Sequence, residues 1–341
     1  MTARLLDSMP KEIRIALGQF REPSADMLTY IAQLGAKDIQ LNTASFPGDR
    51  QWEYEDLLAA RKKVEQHGLR LMSLENVPIP FYDKVMLGLP GRDEQIGHMQ
   101  TLIRNMGRAG IPILGIHWMP SGVWSTEPRD SRRGGASARR FNLADHPADQ
   151  LTHGRVYSAE EMWANFVYYM ERILPVGEEV GVTFAVHPDD PPVPTLGGIA
   201  RIFHSFEGFK RMTDTFDSPN LGLNFCIGCW SEMGGMENVL RGIRYFGPRG
   251  KLIYIHFRDV EGEAACFTEC FINEGNLTDK FKVMQALKEN GFNSFLIDDH
   301  VPNMIDDTRW GHRGRAYAIG YLTALVELVN QMPVNGKSVE Q

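Results

Sequence analysis

The stretch TFAVHPDDPP (residues 183–192) runs four apolar or β-branched residues straight into a histidine and an acidic, proline-stiffened loop. The same order recurs in GLNFCIGC (222–229), LIYIHFRDV (252–260) and SFLIDDH (294–300). Each reads as a short buried strand ending in a side chain able to bind a metal: His187, Cys226, His256 and Asp299. These residues lie 39, 30 and 43 positions apart, each gap about the length of one strand–helix unit. In a barrel of parallel strands such residues emerge side by side at one rim, where barrel enzymes carry their chemistry. Imidazole, thiolate and carboxylate together suit a divalent transition metal better than calcium or magnesium.

Outward from this block, the first half supplies four more strand candidates: IRIALGQ (13–19), DIQLNTA (38–44), RLMSLENV (70–77) and ILGIHWMP (113–120). Near-continuous apolar runs fit parallel strands covered by helices. Helical spacing fills the intervals 26–35, 53–67, 95–109, 158–175, 198–216, 236–247, 278–290 and 317–331. Within 158–175, Met162, Phe166, Met170, Ile173 and Leu174 share a face, and Ser158 with Glu161 forms a capping box. Gly68, Gly110, Gly181 and Gly291 follow helices where a left-handed cap is needed. Eight strand–helix units predict an α/β fold, a single (β/α)8 TIM barrel over residues 1–341. A long insertion at 121–157 follows the fourth strand and carries Arg129, Arg132, Arg133, Arg139, Arg140 and Arg155. It reads either as a solvated mobile loop or as a basic lid closing on an anionic substrate.

An apolar fraction of 43% and a charged fraction of 23% are those of a soluble globular protein. A net charge of −7 excludes a general nucleic-acid binder. No run of about 18 apolar residues suggests a membrane span, and MTARLLDSMPKEIRI lacks a signal-peptide core. Four cysteines in this length do not make a disulfide framework, so the expected compartment is the cytoplasm.

Several residues admit other readings. Cys226 and Cys229 form a C-x-x-C pair, which also fits a redox pair or, with Cys266 and Cys270, a loose structural zinc site. The acidic loop after His187 could supply partners that orient the imidazole. Glu75, Asp259, Asp298 and Asp299 stand near strand ends as metal ligands or rim ion pairs. Adjacent Asp298 and Asp299 should face opposite ways, leaving one for the mouth.

Taken together, His187-Pro-Asp-Asp-Pro-Pro, Asn224-Phe-Cys226-x-Gly228, Ile255-His256-Phe-Arg258 and Asp299-His300 resemble the mannonate dehydratase family. Glu75-Asn-Val-Pro, Trp118-Met119-Pro120 and Arg315-Ala-Tyr317-Ala-Ile-Gly320 extend the resemblance over most of the chain. It implies a barrel related to xylose and other sugar isomerases, with Mn2+, or else Fe2+ or Zn2+, on His187, Cys226, His256 and Asp299. It implies a carbon–oxygen lyase of carbohydrate metabolism, specifically hexuronate catabolism, that takes D-mannonate to 2-keto-3-deoxy-D-gluconate and water. Tyr317, His300 and Arg258 become the candidate acid–base and substrate groups. Glu75, His117, Asp189, Arg258 and His300 become the candidate substrate contacts. A small anionic sugar acid is the expected partner, and a homo-oligomer the expected assembly.

The sequence departs from the family on the substrate side. Val301 replaces a glycine, His117 replaces an asparagine, and Asn42-Thr43 stands where a histidine pair is expected. Trp124-Ser-Thr-Glu127 lacks the family's arginine. A different sugar acid, an isomerase or epimerase reaction, or a non-catalytic sugar-acid binder on the same scaffold are the alternatives this leaves.

Overall fold

The computed structural model describes residues 2–147 and 150–333. Eight parallel strands form a closed barrel: β1 Arg14–Phe20, β2 Asp38–Asn42, β3 Arg70–Glu75, β4 Ile113–Ile116, β5 Thr183–Val186, β6 Leu221–Cys226, β7 Leu252–His256 and β8 Phe295–Ile297. Each pairs with its sequence neighbours, and β8 closes on β1. Every strand expected from sequence is present, but most end earlier than expected. Polar residues at the C-terminal ends leave the ladder: His187 lies one residue past β5, and Asp299 two past β8. Freed from pairing, they can turn toward the barrel axis.

Eight outer helices cover the strands: α1 Ala25–Gln33, α2 Tyr54–Gln66, α3 Arg92–Ala109, α4 Ala159–Val180, α5 Phe206–Thr215, α6 Gly235–Phe246, α7 Lys280–Glu289 and α8 His312–Gln331. Helix α4 buries Met162, Phe166, Met170, Ile173 and Leu174, as its spacing predicts. Ser158 Oγ accepts from the Glu161 N–H at 3.2 Å. The Glu161 carboxylate pairs with Arg155 instead of reaching back, so only half of the expected capping box forms. Helix α4 stops at Gly181, with φ of 77°, a conformation costly for a side chain. A Cβ there would also come within 2.7 Å of the Ala3 carbonyl oxygen.

Inside the barrel, Ala16, Met72, Ile113, Ala185, Ile253, Tyr254, Phe295 and Ile297 pack together with Leu6. Leu6 belongs to a single 3-10 turn, Leu5–Ser8, anchored by the Leu5 N–H donating to the Gly181 carbonyl just ahead of β5. The N-terminal end of the barrel is thereby plugged, leaving the other end for chemistry. At the plugged end, fully buried Asp38 accepts from Arg14 Nε at 2.7 Å and Arg70 Nε at 2.6 Å. One carboxylate thus ties the first residues of three adjacent strands.

Part of the insertion after β4 is paired strand. Strands Glu127–Ser131 and Ser137–Asn142 form a hairpin, and a second hairpin, Asp259–Glu263 with Cys266–Cys270, follows β7. The two join edge to edge, with Phe267 opposite Phe141, into one antiparallel four-stranded roof. Phe141, Phe267, Val193, Leu196 and Val260 form its core. Ser137 and Asn303 exchange both backbone hydrogen bonds, fastening the roof to the loop after β8. Residues 148–149 of the 121–157 segment, and residues 1 and 334–341 of the barrel domain expected from sequence, lie outside the described residues.

Asp38→Ala should cost about 3 kcal/mol, because buried Arg14 would lose its counter-charge while part-exposed Arg70 regains water. Urea denaturation of the variant checks this; an unchanged midpoint would show that the three-strand tie is not stabilising.

Candidate metal centre

The ends of β5, β6 and β7 bring the donor atoms of His187, Cys226 and His256 within 4.8 Å of one another, all buried. His187 Nδ1–H donates to the Pro188 carbonyl at 2.6 Å, which leaves Nε2 with its lone pair. His256 donates through Nε2 to Glu75 Oε2 at 2.9 Å. Its Nδ1 is buried with no hydrogen bond, 3.3 Å from Asp299 Oδ1 but poorly aligned to it. Asp299 also accepts from Gln19 Nε2 at 2.8 Å and lies 3.9 Å from Cys226 Sγ. Asp298 points the other way, accepting from Arg315 on α8 at 2.9 Å. The two aspartates diverge as expected, yet both lie beyond the paired part of β8. The left-handed backbone of Asp299, φ of 56°, sets its direction.

The electrostatics favour a cation here. Burial alone would protonate the Cys226 thiolate. A hydrogen bond from Cys229, the charge of Arg258, and contacts with His187 and His256 instead hold its pKa well below the ordinary thiol range. Burial likewise opposes the charge on Glu75. The positive charge of His256 and hydrogen bonds from His117 and His256 outweigh it and keep Glu75 far below a normal carboxylate. Burial would discharge His256, but Glu75 and Asp299 raise its pKa well above the usual value. A thiolate and two imidazoles, one with an orphaned nitrogen, form a donor group that fits a divalent transition metal; Asp299, the fourth residue expected from sequence, lies beside this group and not within it. Glu75 and the Pro188 carbonyl hold the two rings in ligating orientation.

Beside this group, Asp190, Cys229 and Glu232 form a second buried constellation. A guanidinium fills it. Arg258 Nη2 donates to Cys229 Sγ at 3.2 Å and Asp190 Oδ2 at 3.3 Å, while Nη1 lies 3.0 Å from Glu232 and Nε 3.2 Å from Asp299. Burial lifts the Glu232 carboxyl to about 8 even against the charge of Arg258. Gly228 makes room for this arrangement, since a Cβ there would stand 2.6 Å from Arg258 Cζ. Arg258 is therefore committed to internal acids, whereas its residue type suggested a grip on a substrate carboxylate.

A cavity of 860 Å³ opens between the roof and the loop after β8, lined in part by Arg139, Glu269 and His300. His300 Nδ1–H donates to Glu269 at 2.7 Å, and Nε2 lies 3.6 Å from Asp299. Burial would discharge His300, but Asp299 and Glu269 raise its pKa above the ordinary value. Burial opposes Glu269 as an anion, yet Arg139 and His300 bring it down to about 2. Arg139 Nη2 bridges Asp190 at 2.8 Å and Glu269 at 2.9 Å.

Other residues singled out from sequence lie elsewhere. His117 stacks behind His187 at 4.2 Å between centroids and donates to Glu75 at 2.9 Å. Burial and the neighbouring His187 push it down to about 4. Glu75 itself is buried beneath the metal donors, held by His117, His256 and Tyr254. Asp189 accepts from the Phe203 N–H at 2.7 Å, turned from the mouth, and burial lifts it to about 6. Tyr317 sits part-exposed on α8, its ring edge-on to Phe271 at 5.7 Å, and does not line the cavity. Among the described residues, Cys266 and Cys270 join no metal-capable group. Sequence reasoning passed over Gln19, Glu232 and Glu269; only their places at the end of β1, past β6 and inside the roof could have signalled them.

Fold and donor group together describe a (β/α)8 barrel whose C-terminal rim carries side chains able to hold a divalent metal. The family model described as D-mannonate dehydratase (UxuA) matches residues 17–153 and 143–335. A mannonate dehydratase of Thermotoga maritima is 29% identical over 328 residues, covering 84% of this chain and 89% of that protein. The crystal structure of mannonate dehydratase from Streptococcus suis serotype 2 superposes with a TM-score of 0.83 at 26% identity, over 97% of this chain and 98% of that one. A xylose isomerase domain protein from Planctomyces limnophilus shares the fold, with a TM-score of 0.61 at 15% identity, over 94% of this chain and 99% of that one. The chain belongs to the D-mannonate dehydratase family, a family of hydro-lyases.

Replacing Glu75 by Gln should weaken metal affinity about 10–100-fold, because His256 would lose the charged acceptor that orients it. Competition with a chelator measures this. Metal content by plasma mass spectrometry should also fall in single alanine variants of His187, Cys226, His256 and Asp299; full occupancy in all four would overturn the site.

Proposed function

We propose that this chain dehydrates an aldonic acid, D-mannonate foremost, to 2-keto-3-deoxy-D-gluconate and water. The ion it uses would be Mn2+ on His187, Cys226, His256 and Asp299, with Fe2+ and Zn2+ as chemical alternatives. The observation that carries this reading is the His300–Glu269 pair at the junction of the cationic cavity and the donor cluster.

A proton beside a carboxylate is weakly acidic, and the bound metal would supply the charge stabilisation its removal demands. The abstracted proton passes to a base, and the protein supplies the acid for the leaving hydroxyl. His300, kept charged by Asp299 and Glu269, holds a proton that the departing hydroxyl needs. Glu269 fixes the ring by accepting from Nδ1, so that Nε2 is the transferring atom. Arg139 lines the same cavity and, bridging Asp190 and Glu269, holds the carboxylate that orients His300. Buried Arg258 acts behind the surface, holding Asp299 and Asp190 in place. Tyr317, packed against Phe271, is left out of this assignment. The abundance of guanidinium groups favours an acid over the neutral ketose that an isomerase or epimerase would take.

The Mn2+-loaded protein should convert D-mannonate to a 2-keto-3-deoxy acid, measured by a colorimetric assay for that product. Absence of product from every hexonate and pentonate, with turnover of a ketose instead, would overturn the lyase assignment. The pH profile offers a second check. His300 donates only while protonated, so kcat should fall as pH rises through its raised pKa. In Glu269→Gln that pKa loses a supporting charge, and the basic limb should move to lower pH; an unmoved limb would remove His300 from the role of acid.

A further inference from the structure

Five cationic side chains line the mouth cavity, Arg129, Arg139, His300, Arg309 and Arg315, against the two carboxylates of Glu269 and Asp307. This stands out in a chain whose formal net charge is −7. Most of these charges are matched internally. Arg139 and His300 share Glu269, Arg139 also meets Asp190, and Arg315 meets Asp298. Asp307 accepts from the backbone N–H groups of Thr308, Arg313 and Gly314. Two guanidinium groups remain: Arg129, on the roof strand Glu127–Ser131, and Arg309, in the loop after β8. Neither has an ion-pair partner among the described residues.

The other arginines of the insertion sharpen the contrast. Arg132 pairs with Glu261 and Glu274, Arg140 with Asp145 and Arg155 with Glu161. Arg133 lies over the ring of Phe271 at 4.4 Å. Of the segment's arginines, Arg129 and Arg133 thus lack a carboxylate among the described residues, and of these two Arg129 borders the cavity. Arg129 and Arg309 are both exposed and border one space, where an anion would accept charge-assisted hydrogen bonds from a guanidinium that no carboxylate occupies.

A hexonate cannot supply that anion. The proton to be removed lies next to its single carboxylate, so that carboxylate belongs at the metal end. The cavity of 860 Å³ has room for a sugar acid that carries a second anionic group at its far end. We propose that Arg129 and Arg309 form an outer anion subsite, and that the preferred substrate is a sugar acid anionic at both ends. Two sources share this chemistry: a six-carbon aldarate, and an aldonate phosphorylated on its terminal hydroxyl. This inference rests on the dehydration reading for the orientation of the substrate.

The test uses the full-length Mn2+-loaded protein with three probes: D-mannonate, the corresponding hexarate and D-mannonate 6-phosphate. Initial rates of 2-keto-3-deoxy product and calorimetric Kd values are measured for each. One of the dianions should show a KM and Kd about tenfold below those of D-mannonate, and which one does so identifies the source. Arg129→Gln and Arg309→Gln should each raise KM for that dianion far more than for D-mannonate, and added salt should erode the preference. Equal affinity for all three probes, or variants that weaken all three alike, would overturn the subsite while leaving turnover of D-mannonate intact. Tighter dianion binding, lost in both variants but with no product from any probe, would support the subsite and sink the dehydration reading instead.

Discussion

A guanidinium that is fully buried must be met by negative charge, and Arg258 imposes that requirement on four parts of the molecule at once. Asp190 comes from the loop after β5, Glu232 from the short helix Ile227–Glu232 after β6, Asp299 from beyond β8, and Glu269 from the roof. None of these acids would tolerate the interior alone, and burial does push Glu232 strongly toward the neutral form. The fold near the mouth is therefore held by mutual charge compensation as much as by apolar packing. Arg139 repeats the pattern one layer further out, bridging Asp190 and Glu269 and so fastening the roof to the barrel.

This network divides the acidic residues between two cations. Asp190 and Glu232 are committed to Arg258, which cannot lose its proton. Glu75 sits below, its oxygens taken by His256, His117 and Tyr254, so it orients imidazole instead of binding metal directly. The metal-capable group is one thiolate and two imidazoles, with Asp299 beside it and shared with Arg258. Cys226 sits at the boundary, its negative charge favoured both by Arg258 and by the histidines.

The barrel was legible in the sequence because its strands are uninterrupted apolar runs, and the candidate donors because each follows such a run directly. The helix α4 face was legible for the same reason, from spacing alone. The roof was not. Strand Glu127–Ser131 has no apolar alternation and is mostly exposed; it pairs with Ser137–Asn142, whose other edge is taken by a hairpin more than a hundred residues away. Neighbouring aspartates also defeated local reasoning: Asp189 turns to the Phe203 backbone while Asp190 meets two arginines, a choice fixed by tertiary contacts. Gln19 reaches Asp299 from a backbone with φ of 63°, which no residue-type argument would assign to a glutamine. Arg258 looked like a substrate ligand because arginine so often is; the missing side chain at Gly228 is what lets it bury itself instead.

The departures from the family on the substrate side acquire a physical sense in this setting. Asn42 stands where a histidine pair is expected, and its amide donates to Gln19, which in turn donates to Asp299. His117 stands where an asparagine is expected, stacked on His187 and donating to the same carboxylate that orients His256. Both replacements lie behind metal-donor residues and not in the open cavity, so they act first on how the donors are held. Differences that face the substrate are instead carried by the roof and the loop after β8. The metal-capable donors thus stand at the ends of the barrel strands, whereas the inserted segments border the open cavity.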